Sequence, residues 1–345
     1  MERRERRSKV CVTGATGYIG SYLVKKLLQK GYTVHATLRD INNESKEGIL
    51  KNIPDSQGKL FLFEADVYNP ADFDAAIQGC DFVFHVATPM NHEPGSSQYK
   101  DTVEAALAGS RSIFTSCIRS GTVRRLIYTA SVVAASPLKE DGTAFKDFMD
   151  ETCWTPLHDS LSYLYHDDYH KNYAYSKTLT EKELLSYNNN ENNGDGLEVV
   201  TIPCGLVGGD TIQTYPSGSI AVLLSLITGN SEAYKSLKFL ESLLGKIPLV
   251  HIEDACEAHI FCMENTSMKG RFLCASSYVS IAEIADYYIQ HYPEFNVKKE
   301  NVEGKKKEDV KWGSTQLCEK GFVYKYDTNM ILDDTINCAR RIGHL

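Results

Sequence analysis

The sequence predicts a doubly wound α/β fold: a parallel sheet with helices on both faces. Two observations carry this. Apolar, β-rich segments alternate with helical patterns through the first two-thirds of the 345-residue chain, which is the rhythm of successive βαβ units. The strand segments are also nearly continuous in apolar residues, so both of their faces are covered.

In chain order the strands are KVCVTG, TVHATL, LFLFEAD, DFVFHVA, RRLIYTAS and LEVVTIPC. Helical spacing fills the gaps, as in YIGSYLVKKLLQK after the first strand, DTVEAALAGSRSIFTSCIRS before the fifth and KNYAYSKTLTEKELL before the sixth. After about residue 205 the rhythm lapses into Gly- and Pro-containing loops, an amphipathic stretch over 220–244 and C-terminal helix patterns. Residues 1–205 are therefore expected to form the sheet domain, and residues 206–345 mainly a smaller, lid-like substrate region. The stretch PLVHIEDACEAHIFCMEN, within 245–265, is expected to pack back on the sheet, so that the two interleave. The polar runs Asn188–Gly196 and Glu303–Asp309 read as solvated loops.

Composition bounds the function. With 42% hydrophobic and 10% aromatic residues the chain buries an ordinary globular core. A net charge of -8 excludes a general nucleic-acid binder, which needs a strong basic face. The basic stretch MERRERRSK is short and carries Glu2 and Glu5, as a solvated arm does. No apolar signal-peptide core follows it, and apolar runs such as Ile220–Ile227 are too short to cross a bilayer. Ten cysteines without a C-x-x-C pair suit free thiols in a reducing compartment, which makes the cytosol the expected location.

The first strand runs straight into TGATGYIG, spacing Gly14, Gly17 and Gly20 as G-x-x-G-x-x-G ahead of a helix. Glycines there let backbone N–H groups approach a pyrophosphate at the positive end of the helix, which points to dinucleotide binding. The second strand ends in Arg39 and Asp40, where this fold meets the adenosine ribose. Arginine clasps a 2′-phosphate through its planar fork, and Lys46 adds charge, so NADP(H) is favoured over NAD(H). Asp66 closes the third strand near the expected adenine edge.

A tyrosine followed four residues later by a lysine occurs at Tyr22/Lys26, Tyr173/Lys177 and Tyr234/Lys238. Such a pair shares one helix face, and a fixed cation readies a phenol for proton exchange. Carbonyl reduction needs that partner, because hydride arrives at carbon and a proton must reach oxygen. Only Tyr173/Lys177 follows a strand ending in a serine: Ser131, in YTAS, lies at a carboxyl edge, where open α/β sheets bind ligands. Ser131, Tyr173 and Lys177 are the expected catalytic residues.

Taken together, TGATGYIG, FHVATP, YTAS, YAYSK and PCGLVG resemble the extended short-chain dehydrogenase/reductases over essentially the whole chain. LLQKGYTVHATLRD, GCDFVFHVATPM, YSKTLTEKELL, SLITGN and VHIEDACEAHI are similar, more narrowly, to the plant dihydroflavonol reductase group, with anthocyanidin reductase and vestitone reductase. The resemblance implies a Rossmann-type fold and NADPH-dependent hydride transfer. In it Ser131 polarises the substrate oxygen, Tyr173 is the general acid, and Lys177 binds the nicotinamide ribose and lowers the tyrosine pKa. Thr13, Ala15, Thr16, Gly17, Tyr18 and Ile19 line the diphosphate, and Arg39 with Lys46 takes the 2′-phosphate. Asp66 and Val67 flank the adenine, Val86, Ala87 and Thr88 follow the ribose, and Pro203 with Val207 borders the nicotinamide. Met90 and Ser136 are the implied substrate contacts.

Three positions depart from the group. Ser136 stands where dihydroflavonol 4-reductases carry asparagine, and NYAYSK replaces the N-W-Y-C-Y-G-K of cinnamoyl-CoA reductases, which counts against a thioester. The insertion Leu157–His170 precedes the catalytic helix; it is rich in Tyr, His and Asp and suits an altered aromatic pocket. Its His158, His166 and His170 with Asp167 and Asp168 also allow a metal reading, but hydride chemistry needs no metal and none is expected. The expected function is a cytosolic, NADPH-dependent reductase of an aromatic, polycyclic plant metabolite, anthocyanidin reductase-like, working as a monomer or weak homo-oligomer without nucleic acid. The alternatives are an NADP-dependent alcohol or hemiacetal dehydrogenase or ketone reductase acting on an alkaloid or other specialised metabolite, and a non-catalytic NADP(H) sensor; a hexose-nucleotide epimerase is disfavoured, since no stretch suggests a sugar-nucleotide clamp.

Overall fold

The structure is a computed structural model and describes residues 8–89, 98–158, 161, 165, 167–189, 196–298 and 310–345. Its strands are β1 (Lys9–Thr13), β2 (Thr33–Leu38), β3 (Leu60–Glu64), β4 (Phe82–His85), β5 (Arg125–Ser131), β6 (Phe148–Met149), β7 (Glu198–Cys204), β8 (Leu206–Gly208), β9 (Ile247–His251), β10 (Gly270–Arg271), β11 (Ser277–Val279) and β12 (Lys311–Trp312). Helices α1 (Tyr18–Gln29), α2 (Glu44–Lys51), α3 (Phe73–Ile77) and α4 (Thr102–Ser120) connect the first five strands, and α5 (Asp168–Ser186) leads to β7. Then come α6 (Gly218–Leu223), α7 (Ser225–Thr228), α8 (Ser231–Leu244), α9 (Ile252–Glu264), α10 (Ile281–His291), α11 (Gln316–Glu319) and α12 (Thr328–Arg341).

Seven parallel strands in the order β10-β7-β5-β4-β1-β2-β3 make the central sheet. All six strands read from the sequence are in it. Val10, Val12, Val34, Ala36, Val83 and Phe84 are wholly buried, as strands covered on both faces require. The order reverses between β1 and β4, which pair with Val10 against Phe82 and Thr13 against His85. The carboxyl ends of those two strands therefore flank the switch point, where open α/β sheets take their ligands. Helix boundaries follow local chemistry: Asp101 caps α4 by accepting from the Glu104 N–H at 2.8 Å, and Gly121, at φ 65°, ends it in the left-handed region.

The chain forms two compact units. One comprises the residues up to Thr129 with Leu179–Ile202 and His259–Arg271; the other comprises Ala130–Thr178, Pro203–Ala258 and Phe272–Leu345. The second holds a three-stranded sheet, β11-β9-β8, and a two-stranded one, β12-β6. The returning segment 245–265 divides: Ile247–His251 pairs with β8 and β11 in the second unit, while α9 from His259 onward belongs to the first. The seventh strand of the main sheet, β10, is only two residues long, too short for any periodicity to announce.

Candidate active site

In the first unit the glycine loop is shaped by absent side chains. Gly14 sits at φ +64°, and a Cβ there would lie 2.8 Å from the Ala87 Cα; a Cβ on Gly20 would lie 2.3 Å from the Gly14 carbonyl oxygen. The loop is held from behind. The Ala15 N–H donates to the Thr37 carbonyl at 3.0 Å, the Gly14 N–H to the Thr37 hydroxyl at 3.4 Å, and the Gly17 N–H to the Gly14 carbonyl at 3.0 Å. Gly17 is exposed and supplies no side-chain cap to α1, whose first turn carries no acidic residue. A helix start with those properties, fronted by a bare backbone cradle, fits an anionic diphosphate.

Thr13 ties the two switch-point strands together. Its hydroxyl accepts the Val86 and Ala87 N–H groups, each at 3.1 Å, so its own proton goes to His85 Nδ1, also at 3.1 Å. His85 Nε2 is then left to donate to the Ser110 hydroxyl at 2.9 Å. Val86, Ala87 and Thr88 leave β4 only partly buried behind this lock. Sequence reasoning missed Thr37, His85 and Ser110, because nothing in their spacing ties them to the loop they hold.

Arg39 is exposed just past the end of β2. Lys46 lies in the first turn of α2, its N–H donating to the capping Asn43 at 3.1 Å. Asp66 accepts from the Tyr68 N–H at 3.1 Å, and Val67 is buried against Gly109, where a Cβ would come within 3.1 Å of its carbonyl oxygen. Burial pushes the Tyr68 phenol up; Asp66 adds to this and Arg39 opposes it, so both charges stand near that hydroxyl. Cation, carboxylate and phenol thus gather at the β2 and β3 ends, the adenosine end in this fold.

The second unit holds Ser131, Tyr173 and Lys177. The Ser131 hydroxyl lies near enough to the Tyr173 phenol to act on its ionisation, and it accepts from the Val133 N–H at 3.3 Å. Lys177, one helical turn beyond Tyr173, is buried. Burial pushes the Tyr173 phenol up to about 12, the nearby Ser131 hydroxyl works against this, and Tyr169 and Cys204 reinforce it. The expectation of a lowered tyrosine pKa is thereby reversed, because desolvation outweighs the favourable partner. What stands here is a neutral phenol with a second hydroxyl near it.

Pro203 and Val207 are buried at β7 and β8, with the Pro203 carbonyl accepting from the Cys274 N–H at 2.9 Å. Ser136 is fully buried; its hydroxyl donates to the Leu243 carbonyl and accepts from the Leu138 N–H at 3.1 Å, which commits its proton inside the fold. Met90 and His166 lie outside the described residues. The other two tyrosine–lysine pairs have structural surroundings: Tyr22 is buried with Lys25 over its ring at 4.6 Å, and Lys238 lies over the Tyr234 ring at 5.3 Å. Among the described residues no three His, Cys, Asp or Glu side chains are grouped to hold a metal ion. No helix among them is long and apolar enough to cross a membrane.

A parallel sheet with a glycine cradle at its switch point and a Ser/Tyr/Lys group define a dinucleotide-dependent oxidoreductase. Residues 10–274 match the NAD dependent epimerase/dehydratase family, and the chain belongs to it. It is similar to anthocyanidin reductase of Arabidopsis thaliana, 35% identical with 95% of this chain and 93% of the relative covered. It is similar also to noscapine synthase SDR1 of Papaver somniferum, 36% identical over 97% of this chain and 93% of that one. Among solved structures it resembles vestitone reductase of Medicago sativa, with a TM-score of 0.79 and 33% identity over 98% of this chain and 100% of that one.

Proposed function

We propose that the protein is a cytosolic, NADPH-dependent reductase of an aromatic, polycyclic plant metabolite of flavonoid type. The observation that carries this is the Ser131–Tyr173 hydroxyl pair, in a chain whose near-full-length relatives include an anthocyanidin reductase and a vestitone reductase. The glycine cradle would hold the diphosphate through the backbone of Thr13–Gly20, and Arg39 with Lys46 would take a 2′-phosphate. Asp66 and Val67 would meet the adenine, Val86, Ala87 and Thr88 the ribose, and Pro203 with Val207 the nicotinamide. When bound, the cofactor supplies hydride to the carbonyl carbon.

The protein's residues manage the oxygen. Ser131 donates a hydrogen bond that holds and polarises it. Tyr173, neutral at working pH, delivers the proton as charge develops there. Lys177, on the same helix face, stabilises the phenolate left behind and anchors the nicotinamide ribose. The ten cysteines are all free thiols in the fold, which supports a reducing location.

A second reading runs the same groups in reverse, oxidising an alcohol or hemiacetal of an alkaloid; the similarity to a noscapine synthase favours keeping it. A sensor without catalysis would have no need for the complete set Ser131, Tyr173 and Lys177. The deciding experiment follows NADPH absorbance with purified protein across anthocyanidins, dihydroflavonols and isoflavanones, and NADP⁺ reduction with alkaloid hemiacetals. Oxidation of NADPH by a flavonoid supports the first reading; turnover with the hemiacetals alone replaces it with the second, and silence throughout leaves the sensor.

A further inference from the structure

We propose that Tyr169 is a specificity-determining platform on which a planar polycyclic aromatic substrate stacks beside Tyr173, and that Asp167, His170 and Ser236 form the brace that holds it. The inference uses the reductase reading only to say which group the platform stands beside. Tyr169 precedes Tyr173 by four residues on α5, and the two rings are nearly parallel, at 6° with centroids 6.3 Å apart. A flat ligand parallel to one ring is parallel to both. Tyr169 remains 47% exposed, a large aromatic side chain left open one helical turn from Tyr173.

The platform is fixed from the core outward. His170 is buried, with Nδ1 at 2.7 Å from Asp167 and Nε2 at 2.9 Å from the Ser236 hydroxyl. Both ring nitrogens are thus engaged and the imidazole cannot rotate without breaking a bond. One side of it packs on the buried Phe239 ring at 4.8 Å, and it meets Tyr169 edge-on, at 83° and 5.5 Å. Burial raises the Tyr169 phenol and Asp167 adds to this, so the platform stays uncharged.

Asp167, His170 and Ser236 have the order of a hydrolytic triad, but their setting differs. Ser236 lies within α8, where backbone N–H groups are committed to the helix ladder and none is offered to an oxyanion. Bracing is what this geometry can do.

The test is calorimetric binding, in the presence of NADP⁺, of a planar flavone and of the bent, saturated flavanone with the same hydroxyl pattern. Tyr169→Leu and Tyr169→Gln should weaken the flavone by about three- to tenfold, the worth of one aromatic pair, and the flavanone by less than about twofold. Tyr169→Phe should bind as the wild type does, and His170→Leu should lose part of the preference. Equal losses for both ligands, no loss, or no flavone binding by the wild type would overturn the platform. Flavone discrimination that depends on Tyr169, in a protein that turns over no carbonyl, would support the platform while removing the reductase reading.

Discussion

The Ser131 hydroxyl lies near that of Tyr173 and eases a phenol otherwise driven up to about 12 by burial. The pair joins a strand end to a helix, so each hydroxyl is placed by a different element. Tyr173→Phe removes the proton and keeps the ring: NADPH titration should be unchanged, while turnover falls by about 10²- to 10⁴-fold. Ser131→Ala should cost about 10²-fold in kcat through the lost oxygen contact. Turnover by Tyr173→Phe at the wild-type rate would dismiss the tyrosine as the acid.

Alkaline pH should unfold this protein earlier than its buried area suggests. Burial raises Tyr165, Tyr173 and Tyr187 to about 12, and Tyr288 further still, from an ordinary value of 10.0. A folded state that holds protons more tightly than the unfolded chain is stabilised while both keep them, below about pH 10, and loses that advantage as pH rises through the folded values. The urea midpoint should therefore hold steady from pH 7 to about 9.5 and fall between about 10 and 12. A midpoint that stays level up to pH 11.5 would show that these phenols do not titrate in the folded protein.

Arg39→Ala should separate the two cofactors. Arg39 is exposed beyond β2, and its charge reaches the same Tyr68 hydroxyl as Asp66. A guanidinium–phosphate contact is worth roughly 1.5–3 kcal/mol, so NADPH affinity should fall by about 10- to 100-fold while NADH affinity changes little. Equal losses in fluorescence titrations with both would remove the 2′-phosphate role.

Gly20→Ala tests the cradle itself. The added methyl would meet the Gly14 carbonyl oxygen at 2.3 Å, a backbone atom that no side-chain rotation can move aside. Relieving that clash opens the loop, so NADPH binding should drop more than about tenfold and stability by about 1–3 kcal/mol. Gly218→Ala, with nothing within 4 Å of its Cβ, is the matched control. Normal binding by Gly20→Ala would mean that the loop does not touch the dinucleotide.

Six of the seven main-sheet strands were legible because each is a continuous apolar run closed by turn chemistry, and the glycine loop was legible because three glycines fall between strand and helix. Order along the chain was enough to choose Tyr173 over Tyr22 and Tyr234. What stayed hidden depends on partners distant in sequence. The strand Gly270–Arg271 exists only by pairing with Val200 and Thr201, and Ile247–His251 reads like any sheet strand yet pairs with Leu206–Gly208. Ser136 occupies a position associated with substrate but turns its hydroxyl to Leu243 and Leu138. The rise in the Tyr173 pKa was hidden for the same reason: charge spacing is written in the sequence, and desolvation is not.

Glu181 is the clearest of these hidden residues. It lies two turns beyond Tyr173 and one beyond Lys177, fully buried on α5, and accepts from Arg271 Nε at 3.0 Å, Arg271 Nη2 at 3.1 Å and the Thr201 hydroxyl at 2.7 Å. A charge so buried is tolerable only because its partner is equally buried and forked against it. Glu181→Ala leaves the Arg271 guanidinium uncompensated and should cost about 3–5 kcal/mol, whereas Glu181→Leu with Arg271→Met removes both charges and should recover most of that. The helix that carries Tyr173 is anchored to the edge of the sheet through this pair, so, if Tyr173 is the proposed acid, the single variant should also lose kcat in proportion to its loosened α5, and the double variant should regain it. Thermal melts and kcat measured together distinguish the cases: if the double variant melts no higher than Glu181→Ala, the cost lies in packing and not in the unpaired charge.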